Sequence, residues 1–208
     1  MAFPSFFIIF IIFILVFQHH LRKNNKIERK LKDEFWQKEE SSLVIRKKEI
    51  PQEYYIHSDI SSLSLSIPEN IDPGDKGQVK QLIKRIKDLS NQDMMNFNQL
   101  SNTELRLKFG TANQSIITNN EYTYHNFLKT LASYASLMKE YDKGDESIKA
   151  LELCISLGSD YSQHFYALGQ LYLDQHMTSK LKHLKQIVLD RDFLNQKGIL
   201  NKLESLEH

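Results

Sequence analysis

Apolar and polar positions change rhythm several times along the chain. "MAFPSFFIIFIIFILVF", residues 1–17, is almost unbroken apolar sequence without one charged side chain. About 17 residues at 1.5 Å rise reach about 26 Å, within the usable range for a bilayer core of roughly 30 Å. "KIERKLKDEFWQKEE" then places Ile27, Leu31 and Phe35 four apart, with Glu28 four before Lys32. That is helical spacing with a supporting ion pair, and it predicts a charged stalk continuing the first helix to about Ser41. Residues 42–75 alternate apolar and polar at Leu63, Leu65 and Ile67 and then meet Pro68, Pro73 and Gly74. This predicts an extended, turn-rich connector, with Tyr54, Tyr55 and Ile56 as packing points. A docked path and a free tether both suit it; the apolar content favours docking. Trp36 is expected to pack on the folded domain.

From Gln78 onward the period is helical. Val79, Leu82, Ile83, Ile86 and Leu89 share one face. "SNTELRLKFG" pairs Ser101 with Glu104 as a capping box and stops at Gly110. "TANQSIITNN" (111–120) reads as a polar loop. Further helices are predicted over about 122–141, 146–157, 180–189 and 193–206. Another contains "FYALGQLYLDQH" (165–176) and takes Asp160 as its cap. The fold class is thus all-α: an N-terminal transmembrane helix plus a small solenoid of antiparallel helix pairs. The organisation is an anchor at 1–18, a charged stalk at 19–41, a connector at 42–75 and a helical domain at 76–208.

One spacing stands out. Phe165, Leu168, Gly169 and Tyr172 follow, by 34 residues, Leu131, Tyr134, Ala135 and Met138. Small residues coincide at 135 and 169, where two helices would cross at close range. Ser147, Leu151 and Cys154 supply the small, large and small positions of the following helix. These residues resemble the tetratricopeptide repeat over about 122–190, as units at about 128–161 and 162–195. The second unit departs in its second helix, where Leu181 replaces a small residue and Lys185 a large apolar one. Two units are fewer than a solenoid usually needs, so flanking helices at 78–109 and 193–206 are expected to act as caps. Anchor, stalk, "NTELRLKFGTAN" and terminal repeats together are similar to membrane-anchored repeat proteins of low-GC Gram-positive bacteria, a likeness that implies no activity.

Charge changes the picture at the membrane. Arg22, Lys23, Lys26, Arg29, Lys30 and Lys32 follow the apolar run and no Lys or Arg precedes it. The positive-inside rule then predicts a single-pass cell-membrane protein with a cytoplasmic C-terminal domain. A cleaved signal peptide needs a basic region before the apolar run and a small-residue site after it, and the sequence has neither. Residues 1–18 meet the lipid bilayer. The cluster around Arg22, Lys23, Lys26, Arg29 and Lys30 is placed to meet anionic head groups, with a merely solvated, topology-setting face as an equal alternative.

Elsewhere composition removes chemistry. A net charge of +1 argues against nucleic acid as a partner. Cys154 is the only cysteine, so a disulfide framework or cysteine zinc site within the chain is excluded. The eight histidines form no metal signature, and with seven glycines there is little from which to build phosphate-cradling loops. "KRIKDLSNQDMMNF" reads as an amphipathic packing helix rather than a nucleic-acid or calmodulin-type segment. The C-terminal "LEH" carries no weight, as such an end also remains from purification tags. No catalytic, cofactor or metal residues are expected, and the chain is not expected to be an enzyme.

What the resemblance implies is a protein-interaction module, a tethered adaptor or scaffold that binds a peptide or helix. The first helix of each pair would present Lys129, Ala132, Ser136 and Lys139, then Gln163, Tyr166, Gln170 and Leu173, on a concave face. Ala132 stands where the family's clamp for C-terminal carboxylates has a Lys, which puts a chaperone-tail ligand in doubt. The alternative is a structural or self-associating helical spacer with no specific ligand.

Overall fold

Helix dominates because the chain beyond Pro73 contains no proline and its apolar residues recur every three or four positions. The computed structural model describes residues 3–191, 193 and 195–206. About 73% is helix, and no strand occurs among the described residues. Eight helices are described: α1 Phe3–Leu43, α2 Pro73–Ser90, α3 Asn102–Phe109, α4 Gln114–Glu140, α5 Gly144–Ser156, α6 Ser162–Asp174, α7 Thr178–Asp190 and α8 Gln196–Glu204. Short 3-10 turns occupy Gln52–Tyr54 and Thr111–Asn113. The chain divides into two units, residues 1–49 with 100–114, and residues 50–99 with 115–208. The terminal "EH" of the discounted tag-like end lies outside the described residues.

In the first unit, α1 is one unbroken helix of 41 residues. Its apolar part is exposed throughout, from Phe7 to Phe17. The helix is long and apolar enough to cross a membrane. A helix suits that environment because every backbone polar group is satisfied within the segment. Trp36 departs from expectation: it is 57% exposed, with its ring edge-on to Phe35 at 5.5 Å. Neither aromatic packs on a core.

The expected capping box is present in α3: Ser101 Oγ accepts from the Glu104 N–H, and Glu104 accepts from the Ser101 N–H. Gly110 ends the helix at φ 86°, and a Cβ there would sit 2.3 Å from the Arg46 carbonyl oxygen. Only glycine meets both demands. α3 is fastened to the end of α1 by polar groups. Arg106 pairs with Glu39, and its Nε donates to Ser42 Oγ at 3.1 Å. The Thr103 hydroxyl also donates to Glu39, and Lys38 lies 3.5 Å from Glu104. The buried Asn113 amide donates to the carbonyls of Lys48 (2.6 Å) and Phe109 (2.7 Å).

In the second unit, residues 50–72 are irregular but docked. Ile50 and Leu63 are buried, while Ile56, Ile60, Leu65, Ile67 and Ile71 are partly covered against the core. Ile56 N–H donates to Met94 O at 2.8 Å, and the Tyr54 ring stands 5.5 Å from Phe97. α2 starts at Pro73, earlier than expected, because proline fits the first helical position, where no N–H donor is needed.

Residues 114–120, expected to continue a loop, form the first turns of α4. The local sequence is polar, but Ile117 is buried, in register with Tyr124, Phe127, Leu128 and Leu131. That burial outweighs the weak local preference. Asp160 does not cap α6 either. The cap residue is Tyr161, without a side-chain bond, and the Asp160 carboxylate instead accepts from Asn98 at 3.1 Å. The last helix is shorter than expected, beginning at Gln196.

The 34-residue spacing reappears in three dimensions. α5 and α7 begin 34 apart (144, 178) and end 34 apart (156, 190); α6 and α8 begin 34 apart (162, 196). Asp142 (φ 55°) and His176 (φ 56°) occupy the same place in the two turns. Each turn is closed by one equivalent bond, Lys143 N–H to Met138 O (2.9 Å) and Met177 N–H to Tyr172 O (2.7 Å). Side-chain sizes also exchange between the two pairs. Ala135 and Ser147 in the first become Gly169 and Leu181 in the second. A Cβ on Gly169 would lie 3.5 Å from Leu181 Cδ1, 2.9 Å from Leu203 Cδ2 and 2.8 Å from Leu206 Cδ1. The glycine thus makes room for leucines of α7, of α8 and of the turn after α8 that a larger residue would push away.

Candidate groove between two parallel helices

α4 and α6 lie side by side and run the same way. At the start of α6 the Tyr161 hydroxyl bonds His125 Nδ1, midway along α4, at 3.0 Å, and at the ends of both helices Lys139 lies 3.5 Å from Asp174. α5 returns between them. Between α4 and α6 opens a groove of about 280 Å³. Ala132, Ala135, Ser136 and Lys139 line it from α4, Ser147 and Leu151 from α5, and Gln163, His164, Ala167, Gln170 and Leu171 from α6. Small side chains at 132, 135, 147 and 167 keep it open. Polar groups sit at its rim: Ser136, Lys139 and Gln163 are exposed, and Gln170 is half-buried.

Of the residues expected on this face, Ser136, Lys139, Gln163 and Gln170, with Ala132, line the groove. Lys129, Tyr166 and Leu173 do not. Lys129 is exposed; Leu173 packs on the core; Tyr166 is half-buried, and its hydroxyl accepts from the Gln170 amide at 3.1 Å. His164 and Ala167 were not singled out by sequence. Ala167 had a readable signal, a small residue between Gln163 and Gln170 on one helical face. His164 had none, because its role depends on Ser159, which the turn after α5 brings beside it.

His164 is buried, with Nδ1 2.8 Å from Ser159 Oγ, and burial pushes its pKa down to about 4. Ser159 Oγ also accepts from the Tyr161 N–H at 3.3 Å. Either the Ser159 hydroxyl or the His164 Nδ1–H donates in that bond, and the ring is neutral in both arrangements. This wall of the groove is thus uncharged near neutral pH. The one charged group lining it, Lys139, is half-exposed beside Asp174. Nothing in this arrangement activates a nucleophile. Cys154 is fully buried with its thiol 3.7 Å from Leu128 O, and burial pushes its pKa far up. Among the described residues no group of His, Cys, Asp and Glu is arranged to hold a metal ion.

The geometry can accept a narrow chain, with amides at 163 and 170 offering donors and acceptors to a backbone and the alanines admitting small side chains. No protein-family model, curated protein or solved structure matches this chain.

Proposed function

We propose that this protein is a membrane-tethered interaction module built on tetratricopeptide-like helix pairs, whose groove between α4 and α6 takes an extended peptide segment of a partner protein. In this reading residues 1–18 anchor it in the cell membrane, the helical domain faces the cytoplasm, and no chemistry is performed. The observation that carries the reading is the groove, together with the 34-residue period in the bounds of α5 and α7 and in the starts of α6 and α8. Neutral amides and small side chains favour backbone recognition over a charged tail. Lys139 adds a positive charge at one end, tempered by Asp174.

The test is partner capture by the full chain in its own membranes. Ser136→Trp and Ala167→Trp place bulk in the groove, and Lys149→Trp places it on an exposed site of α5. The first two should lose partners that the wild type and the third retain. Equal recovery from all four proteins would remove the groove from consideration. Recovery of nothing but the chain itself would favour the spacer.

A further inference from the structure

The exposed side of α1 carries a pattern that a lone membrane anchor does not need. Phe10, Phe17, Asn24 and Leu31 are each seven residues apart, and Phe13, His20 and Ile27 repeat the same step three residues further on. Alternate steps of three and four keep these positions on one stripe of a helix, the period of a coiled-coil seam. The stripe is apolar from Phe10 to Phe17, polar at His20 and Asn24, and apolar again at Ile27 and Leu31. Ile27 and Leu31 are 49% and 61% exposed, ten or more residues past the apolar run. The seam ends at Leu31, since the next position, Glu34, is charged and pairs with Lys30 at 3.6 Å.

We propose that α1 pairs with a second copy of this chain as a parallel, two-stranded coiled coil spanning bilayer and stalk. The inference rests on the anchor reading. Copies threaded through one membrane in one direction hold equal residues at equal depth, so each seam meets itself in register. The flanking charges suit that arrangement: Lys23 and Glu28 occupy positions five apart that face one another across a parallel pair. A single Asn at a seam position, Asn24, favours two strands in fixed register at some cost in stability. In the bilayer the phenylalanines contribute close packing, since lipid is as apolar as they are. In the stalk Ile27 and Leu31 contribute hydrophobic burial. The pairing would set two helical domains on one base.

Cys154 is buried, which gives a quiet background for engineered thiols. The experiment places single cysteines in the full chain, in membranes, under mild copper-catalysed oxidation by air. Ile27→Cys and Leu31→Cys lie on the seam; Arg29→Cys and Asp33→Cys lie away from it. The seam variants should give at least about fivefold more disulfide-linked product, at twice the 24.5 kDa chain mass. Leu31→Asp added to Ile27→Cys should suppress that product. Equal linkage at all four positions, no linkage, or a product of another mass would overturn the pairing. Carbonate extraction of the same membranes reads the anchor separately: a chain that is extracted fails the anchor, and one that is retained without seam linkage fails only the pairing.

Discussion

At the scale of single residues, three side chains offer measurable consequences. Gly169→Leu must displace Leu203 and Leu206, whose methyl carbons already stand within 3 Å of an added Cβ. Overpacking of that kind costs about 1–3 kcal/mol. Gln170→Leu, next in sequence, loses one part-buried bond to Tyr166 and should stay within about 0.5 kcal/mol. Thermal melting of the two variants compares them directly, and equal melting points would contradict the close crossing. Tyr134 presents the opposite case. Its hydroxyl is buried without a hydrogen-bond partner among the described residues, and burial raises its pKa to about 12. Tyr134→Phe removes an unsatisfied polar atom and should leave the melting point unchanged or raise it by up to about 1 kcal/mol of stability; a clear drop would reveal a partner for that hydroxyl. His164 supplies a pH dependence. Its pKa falls from 6.5 to about 4 on folding, so the unfolded chain binds the extra proton first. Its contribution is complete above about 6.5 and is lost as pH falls towards 4. His164→Gln should flatten the melting curve in that window, and an unchanged slope would assign the effect elsewhere. His125, also shifted down by burial, adds in the same direction.

Elements were legible where their signals are local. Ser101, Glu104 and Gly110 start and stop α3 by bonds within a few residues, and the structure keeps all three. Ser101→Ala should therefore cost ~1 kcal/mol, read as earlier loss of α3 protection in amide exchange; unchanged exchange would show that the Arg106–Glu39 contact alone holds the helix. The start of α4 was not legible, because residues 111–120 are polar and only the distant partners of Ile117 make them helical. Trp36 misled for the same reason: a large aromatic predicts burial only if a core is within reach, and none is. Of the face that the resemblance implied, Ser136, Lys139, Gln163 and Gln170 line the groove. Helical periodicity could not separate them from Tyr166 and Leu173, which share the face but lie outside the groove. That distinction depends on which neighbouring helix each side chain meets, and no local pattern encodes it. The size exchange at Gly169 and Leu181 is similar. Leu181 departs from the pattern that the resemblance implies, and the structure sets it against Gly169, where an added Cβ would lie 3.5 Å from Leu181 Cδ1.

At the scale of the whole molecule, the proposed anchor makes a prediction about which side of a membrane holds the folded mass. Six Lys and Arg residues follow the apolar run between 22 and 32, all of them exposed. Each such residue resists translocation, so insertion should leave the stalk and everything after it in the cytoplasm. Protease added to intact cells should then spare the helical domain, and the same protease should cut it once the membrane is opened. Digestion from outside would reverse the orientation and remove a cytoplasmic partner from consideration. The cluster also bears on lipid. If head groups hold Arg22, Lys23 and Lys26, each contact contributes about 1 kcal/mol near an anionic surface. Fluorescence from a probe at residue 25 should then report slower stalk motion in anionic than in zwitterionic vesicles, with the difference fading as salt shortens the screening length. Identical motion in both would leave the cluster with topology as its whole role. Neutralising Arg22, Lys23 and Lys26 together separates the two: mixed orientation follows from topology, and loss of the lipid difference at fixed orientation follows from head-group binding.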